Sequence, residues 1–196
     1  MIRLLIAAAT GLTVSILCTP IAIRMLRRRS IGQFIQAEIT GHTHKQGTPT
    51  MGGVVFVSAA VIGYAMAHVR VWTPSGGFRF EILSFDPGGA LAVLALAGMG
   101  IVGFLDDYLK FVRQQSQGLN KRAKFGLQLL IAIVFAVAAL SNGTQVGIST
   151  HLSFVRPLGL DLGVFFVVWA LLMLTGAANG VNLADGMDGL AAGSAA

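Results

Sequence analysis

The sequence predicts an all-α, polytopic membrane protein, and three observations support this fold class. Hydrophobic residues make up 55% of the 196 residues and charged residues only 11%, whereas a soluble domain carries about 25% charged residues. The mean hydropathy is +0.76. The apolar residues also fall in long runs, as membrane spans require. We therefore expect a single integral-membrane domain over residues 1–196.

Five apolar runs are candidate transmembrane helices, and a sixth begins near the carboxyl end. The five cover Leu4–Ile23, Gly52–Val69, Ala90–Leu105, Phe125–Leu140 and Leu162–Ala178. The third and fifth are short for a hydrocarbon core of about 30 Å, so tilt or packing must help them to span it. The apolar run Leu190–Ala196 has no stop signal and resembles the start of another span.

The basic residues, which give the chain a formal charge of +6, concentrate in two of the four predicted loops. They are Arg24, Arg27, Arg28, Arg29 and Lys45 in the first loop, and Lys110, Arg113, Lys121, Arg122 and Lys124 in the third. The positive-inside rule places these two loops in the cytoplasm and the N-terminus outside. Such positions at the ends of spans favour membrane flanks over nucleic-acid binding.

The loops on the other side are connectors, and the single cysteine restricts the chemistry of the chain. The fourth loop, from Ser141 to Asp161, contains β-branched residues and glycines and favours a short hairpin. Cys18 is the one cysteine, which excludes a disulfide within the chain and a cysteine-based metal site.

Asp106 and Asp107 directly follow the third apolar run and form the sharpest polar motif. Two adjacent carboxylates at a membrane boundary are costly unless a cation or water satisfies them. One interpretation is that one aspartate binds a metal while the other meets a substrate. The alternative is a pair of solvated residues that end a helix, although acids have the wrong sign for a helix C-terminus.

Two further motifs lie at predicted cytoplasmic ends. The first contains Asn179, Asn182, Asp185 and Asp188. The intervals of three put these side chains along one side of a helix, and their oxygens suit Mg²⁺; an Asp-Gly turn is the alternative. The second is the segment 45–53, in which Lys45, Thr48 and Thr50 are candidates to approach a phosphate. Its alternative is an ordinary turn that caps a helix.

These motifs, in this order, resemble those of the polyprenyl-phosphate N-acetylhexosamine-1-phosphate transferases. The Asp106–Asp107 pair and the segment 182–190 mark the superfamily, and the Thr-Pro-Thr-Met-Gly-Gly stretch from Thr48 resembles its phospho-N-acetylmuramoyl-pentapeptide-transferase branch. The resemblance covers nearly the whole chain but about the first half of the family's length. It implies that the chain is truncated relative to the family and lacks a later aspartate and a histidine-containing loop, so we expect this chain alone to be inactive.

The resemblance also implies a reaction and a set of residue roles. Members transfer phospho-MurNAc-pentapeptide from UDP-MurNAc-pentapeptide to undecaprenyl phosphate, with Mg²⁺ as cofactor, at the bacterial cell membrane. Lipid I and UMP form, as a step of peptidoglycan biosynthesis. Asp106 and Asp107 would then be catalytic residues or metal ligands. The substrate-binding residues would be Lys45, Thr48, Thr50, Lys124, Asn179, Asn182, Asp185 and Asp188. The expected surroundings are membrane lipid and a homodimer partner, without nucleic acid.

Two other functions fit parts of the sequence. One is a sister transferase that moves another sugar phosphate, such as GlcNAc-1-phosphate. The other is a cation transporter that uses the acidic residues, although transporters usually bury such charges near the membrane midplane. In this sequence the acidic motifs gather at one predicted face, which favours the transferase.

Overall fold

A computed structural model describes residues 2–29, 51–73, 77–115, 117–141, 148–153 and 157–184. It contains two compact units, Met1–Lys121 and Arg122–Ala196. The described part of the chain is mostly helical, with two small antiparallel hairpins.

The first unit contains three helices and one hairpin among its described residues. Its elements are α1 (Ile2–Arg28), α2 (Gly53–Met66), β1 (Val69–Thr73), β2 (Gly77–Ile82) and α3 (Pro87–Arg113). At about 1.5 Å per residue, α1 and α3 are each about 40 Å long and α2 is about 21 Å long. The two long helices therefore exceed the roughly 30 Å of a bilayer core, and the described part of α2 does not.

Small residues bring the backbones of α1 and α2 close together. A Cβ atom added to Gly63 would lie 2.6 Å from the carbonyl oxygen of Ala7, and one added to Gly11 would lie 3.4 Å from that of Ala59. Helices in lipid gain little from burying apolar side chains, so association depends on such close van der Waals packing. This contact fixes α1 against α2.

An aromatic cluster ties the end of α2 to the start of α3. The ring of His68 is buried between Tyr64, at 4.6 Å between centroids, and Phe85, at 4.7 Å. The Tyr64 hydroxyl donates to the backbone oxygen of Asp86 at 2.8 Å. The carboxylate of Asp86 caps α3 by accepting from the N–H of Gly89 at 2.7 Å. These contacts therefore hold the end of α2 next to the start of α3, at the base of the hairpin that connects them.

The second unit contains two helices and a smaller hairpin among its described residues. Its elements are α4 (Lys121–Ser141), β3 (His151–Ser153), β4 (Pro157–Asp161), a 3₁₀ turn (Gly163–Phe165) and α5 (Phe166–Ala184). Asp161 closes this hairpin, because its carboxylate accepts from the Thr150 hydroxyl and from the N–H of Gly163. These hydrogen bonds lower the pKa of Asp161 below its ordinary value, so the group stays ionised and keeps accepting.

Four helices of the described chain are long and apolar enough to cross a membrane: Ile2–Arg28, Pro87–Arg113, Lys121–Ser141 and Gly163–Ala184. Many of their exposed side chains are large and apolar. Leu4 is 74% exposed, Leu130 57% and Leu172 64%. A surface of this kind is stable in lipid rather than in water. The chain is therefore a multi-pass membrane protein.

The predicted spans match the observed helices in place, but their ends differ. The third and fifth spans were predicted to be short, and this was wrong, because α3 continues to Arg113 and the last helical stretch covers Gly163–Ala184. The second ends at Met66, since Val69 already pairs in β1. The hairpin of the fourth loop is confirmed.

The predicted fold differs from the structure in its strands, and parts of it lie outside the described residues. The all-α assignment was too strict, because the second loop, which was predicted only as a connector, also forms a hairpin. The start of a sixth span, Leu190–Ala196, lies outside the described residues. The span count, the side of each loop and the single-domain organisation remain predictions.

We expect Gly63→Ala to lower the thermal midpoint of the protein in detergent, because its new Cβ would collide with the backbone of α1. Overpacking of this kind costs about 1–3 kcal/mol. Gly103→Ala is the matched control, since nothing lies within 4 Å of an added Cβ there and alanine is the better helix former. Equal midpoints for the two variants would contradict the proposed packing.

Candidate active site

The aspartate pair lies on α3, two turns before that helix ends. Asp106 is only 6% exposed, whereas Asp107 is half-buried. The Lys110 ammonium lies 2.9 Å from Oδ2 of Asp106 and 2.9 Å from Oδ1 of Asp107. Spacings of four and three residues place one cation beside both acids. A single ammonium therefore offsets part of the charge of two neighbouring carboxylates.

The loop after α3 folds back onto Asp106. The residue that follows the last residue of α3, Gln114, caps the helix in the left-handed conformation with φ of 50°. The chain then returns so that the N–H of Leu119 donates to Oδ1 of Asp106 at 2.8 Å. A Cβ on Gly118 would lie 2.5 Å from that same carboxylate oxygen, so this close approach requires glycine. Asp106 therefore anchors the loop as well as carrying charge.

One argument for the function of the aspartates fails. The sequence suggested that α3 ends at the pair, where acids oppose the helix macrodipole. The helix instead continues to Arg113, and its last turn carries Lys110 and Arg113, which have the favourable sign. The case for function consequently rests on the clustering of charge and not on a mismatch with the dipole.

The donor atoms of the pair suit Mg²⁺. Carboxylate oxygens are the hard ligands that Mg²⁺ prefers, and the ion commonly takes one or two carboxylates and completes its shell with water and substrate phosphates. Asp107 is half-buried rather than fully buried, and among the described residues only Lys110 contacts its carboxylate. Among the described residues, no three His, Cys, Asp or Glu side chains lie together so that they could hold a metal ion. The fit to Mg²⁺ therefore concerns this pair of carboxylates alone.

A second polar cluster joins α4 to α5. Lys124, in the first turn of α4, donates to Oδ1 of Asn182 at 3.3 Å. One turn further on, Gln128 accepts a hydrogen bond from Nδ2 of Asn179 at 2.9 Å. The prediction that the four residues of this motif share one side of a helix is confirmed for Asn179 and Asn182, since both bond to α4, whereas Asp185 and Asp188 lie outside the described residues. We refer to Lys124, Gln128, Asn179 and Asn182 as the amide row.

The start of α4 is basic, which is the wrong sign for that end of a helix. Lys121, Arg122 and Lys124 all lie in its first turn, and the turn has no acidic residue. The macrodipole makes a helix N-terminus positive, so the three cations of this turn oppose it.

Five of the predicted site residues lie outside the described residues. They are Lys45, Thr48, Thr50, Asp185 and Asp188. Their roles remain predictions, as do the catalytic and substrate-binding roles assigned to Asp106, Asp107, Lys124, Asn179 and Asn182.

Sequence reasoning missed three contacts of the site. Lys110 was interpreted as a topology signal, although its spacing from the two aspartates was sufficient to indicate an ion pair. The contact of Gln128 with Asn179 and the burial of Gln128 were not predicted. The approach of Gly118 to Asp106 had no signal in the sequence, because it depends on the path of the loop.

The apolar helices define a multi-pass membrane protein, and the chain carries a carboxylate pair on α3 and a basic first turn on α4. The profile described as Glycosyl transferase family 4 matches residues 90–196, more than half of the chain. The chain belongs to this family. A second profile, described as phospho-N-acetylmuramoyl-pentapeptide-transferase signature 1, matches residues 45–57.

Several relatives carry the name phospho-N-acetylmuramoyl-pentapeptide-transferase. The protein of Streptomyces griseus is 43% identical over 98% of this chain and 52% of its own length. That of Kineococcus radiotolerans is 45% identical over 97% and 53%, and that of Pseudarthrobacter chlorophenolicus is 44% identical over 99% and 55%. The resemblance inferred from the three motifs is confirmed. The chain spans about half the length of the curated relatives it matches.

We expect Gly118→Ala to displace the loop from Asp106 and to break the hydrogen bond from Leu119. Hydrogen exchange at the Leu119 amide should accelerate, and the thermal midpoint should fall by an amount that reflects about 1–3 kcal/mol. Gly126→Ala is the control, because an added Cβ there meets nothing within 4 Å. Unchanged protection at Leu119 would show that the loop does not depend on the glycine.

Proposed function

We propose that the protein transfers phospho-MurNAc-pentapeptide from UDP-MurNAc-pentapeptide to undecaprenyl phosphate, releasing UMP and forming lipid I. The observation that carries this proposal is the 43–45% identity, over nearly all of the chain, to proteins named phospho-N-acetylmuramoyl-pentapeptide-transferase. Because the chain spans about half of their length, the proposed activity is that of the whole protein.

The physical chemistry of the chain suits this reaction. One substrate is a soluble anion and the other is a lipid with a phosphate head, so the two must meet at the membrane surface. The described chain has lipid-exposed apolar helices with charged residues at helix ends, such as Asp106 and Asp107 on α3 and Lys124 on α4. We place these ends at the cytoplasmic face of the bacterial plasma membrane, with five spans before the motif at 179–188 and the N-terminus outside.

Mg²⁺ is the proposed cofactor, and Asp106 and Asp107 are the residues of this chain that would hold it. When bound, the ion would supply charge neutralisation for the pyrophosphate and the departing UMP. Alternatively, Asp106 or Asp107 would accept the proton of the lipid phosphate. Lys110 offsets part of their charge. The more exposed Asp107 is the easier of the two for a substrate to reach.

The remaining roles follow from charge and hydrogen-bonding capacity. Transfer of a phosphoryl group depends mainly on positioning and electrostatic stabilisation. Lys45 and Lys124 would offset phosphate charge, with Thr48 and Thr50 close to the same phosphates. Asn182, Asp185 and Asp188 would orient the nucleotide-sugar or the metal, and Asn179 would also bind substrate. We also propose that the protein assembles as a homodimer, which chemical cross-linking in membranes would test.

A sister transferase for GlcNAc-1-phosphate is the nearest rival, and a cation transporter is a more distant one. The names of the relatives favour the pentapeptide substrate. Comparing UMP release from UDP-MurNAc-pentapeptide and from UDP-GlcNAc separates the two transferases. Cation flux in proteoliposomes without UMP release would instead favour transport.

In the full-length protein, we expect Asp107→Asn to lower Mg²⁺-dependent UMP release by about 10²–10³-fold, as for other groups that stabilise charge in a transition state. Glu81→Gln is the control, since Glu81 is an exposed carboxylate on β2 and should leave turnover unchanged. The thermal midpoint of Asp107→Asn should stay near that of the native protein. Near-native turnover in Asp107→Asn would refute the assignment.

Lys124→Ala should raise the KM for a phosphate-bearing substrate by about 10-fold to 100-fold, because a charged hydrogen bond contributes about 1.5–3 kcal/mol. Arg113→Ala removes a cation from the end of α3 and should leave KM unchanged. If both variants behave like the native protein, Lys124 acts only as a topology signal.

A further inference from the structure

The side-chain amide of Asn179 has both of its hydrogens engaged. Its Nδ2 donates to Oε1 of Gln128 at 2.9 Å and to the backbone oxygen of Thr175 at 2.8 Å. Gln128 is 3% exposed, and Thr175 lies one turn before Asn179 on α5. The amide is therefore held between a buried side chain of α4 and the backbone of its own helix.

The backbone oxygen of Thr175 decides which way this amide faces. A peptide carbonyl only accepts hydrogen bonds, so an Asn179 oxygen turned toward it would place two acceptors 2.8 Å apart. The amide nitrogen must therefore face Thr175, although the oxygen and nitrogen of an amide are otherwise hard to tell apart. Since Nδ2 then also faces Gln128, the acceptor of that second bond must be the Gln128 oxygen.

The locked amide leaves Asn179 with an acceptor and no donor to offer. Nδ2 is fully used, and no residue in the described ranges donates to Oδ1. A phosphate oxygen also only accepts, so it cannot bond to Asn179 in this orientation. An N–H or O–H group of a ligand can donate to Asn179. Lys124 lies one turn from Gln128 on α4, about 6 Å along the helix axis. Its ammonium has the opposite hydrogen-bonding capacity, because it only donates.

We propose that Gln128 is a positioning residue that keeps Asn179 oriented as an acceptor for an N–H or O–H group of the nucleotide-sugar substrate. The inference rests on the proposed function. Within the amide row, Lys124 would then bind phosphate, and Asn179 would accept a hydrogen bond from a donor group of the nucleoside or sugar. A buried glutamine is suited to this task because it supplies an acceptor without adding charge, and its burial fixes the direction of that acceptor.

The test uses the full-length protein and compares Gln128→Leu with Gln128→Glu. Leucine fills the site without an acceptor, and glutamate keeps an oxygen facing Nδ2 of Asn179. We expect Gln128→Leu to raise the KM for the UDP-sugar about 10-fold, with kcat within about three-fold of the native value and the KM for the lipid phosphate unchanged. Gln128→Glu should restore the native KM for the UDP-sugar. Leu130→Ala, on the exposed side of α4, is the control.

A double-variant comparison tests whether Gln128 acts through Asn179. Adding Gln128→Leu to Asn179→Leu should cause no further rise in KM, because the residue to be positioned is already missing. Additive effects, equal behaviour of the leucine and glutamate variants, or a native KM in Gln128→Leu would each overturn the inference. If Gln128→Leu fails to fold, Gln128→Met replaces it, since methionine keeps the length without a strong acceptor.

A binding measurement separates the two kinds of ligand group. Asn179→Leu should weaken binding of the UDP-sugar and leave the affinity for inorganic pyrophosphate unchanged, whereas Lys124→Ala should weaken both. Loss of pyrophosphate binding in Asn179→Leu would overturn the acceptor assignment. A native protein that releases no UMP from any UDP-sugar would refute the proposed function itself. A native protein that is active but insensitive to Gln128 would refute only the positioning role.

Discussion

The structure depends on satisfying polar groups where water is scarce. In hydrocarbon an unpaired donor or acceptor costs several kcal/mol, so hydroxyls within the apolar helices bond to their own backbone. Thr13 donates to the oxygen of Ala9 at 2.8 Å, and Ser141 donates to that of Val137 at 2.7 Å. The same constraint keeps the apolar side chains outward and concentrates charge near helix ends. The charged side chains of α3 and α4 consequently lie where these helices begin or end.

The aspartate pair shows how this constraint is met without removing charge. Asp106 and Asp107 share one ammonium, and the loop residue Leu119 adds a backbone donor to the more buried of the two. The result is a compact group in which carboxylates are held near a membrane boundary with part of their charge offset. The contacts with Lys110 and Leu119 order the pair before any ligand binds. A divalent cation or a substrate would have to compete with Lys110 for those oxygens.

Sequence patterns predicted the helices well, because long apolar runs report directly on the solvent around a span. Helix ends were less well predicted: Lys110 and Arg113 extend α3 beyond its apolar part, and polar residues in a final turn look like a loop when read from hydropathy alone. The hairpin between α2 and α3 depends on the packing of His68 against Phe85, which no local pattern encodes. For the site, residue types and order were readable, whereas the partners of Asp106 and Asn179 depend on contacts between separate segments.

The lock on Asn179 has a consequence for how this protein can vary over evolutionary time. Thr175 contributes a main-chain oxygen to it, and every amino acid carries that atom, so mutation at 175 is free to explore other side chains that fit. Gln128 and Asn179 contribute side-chain atoms to it, so substitution at these two positions is restricted to residues that keep an acceptor at 128 facing a donor at 179.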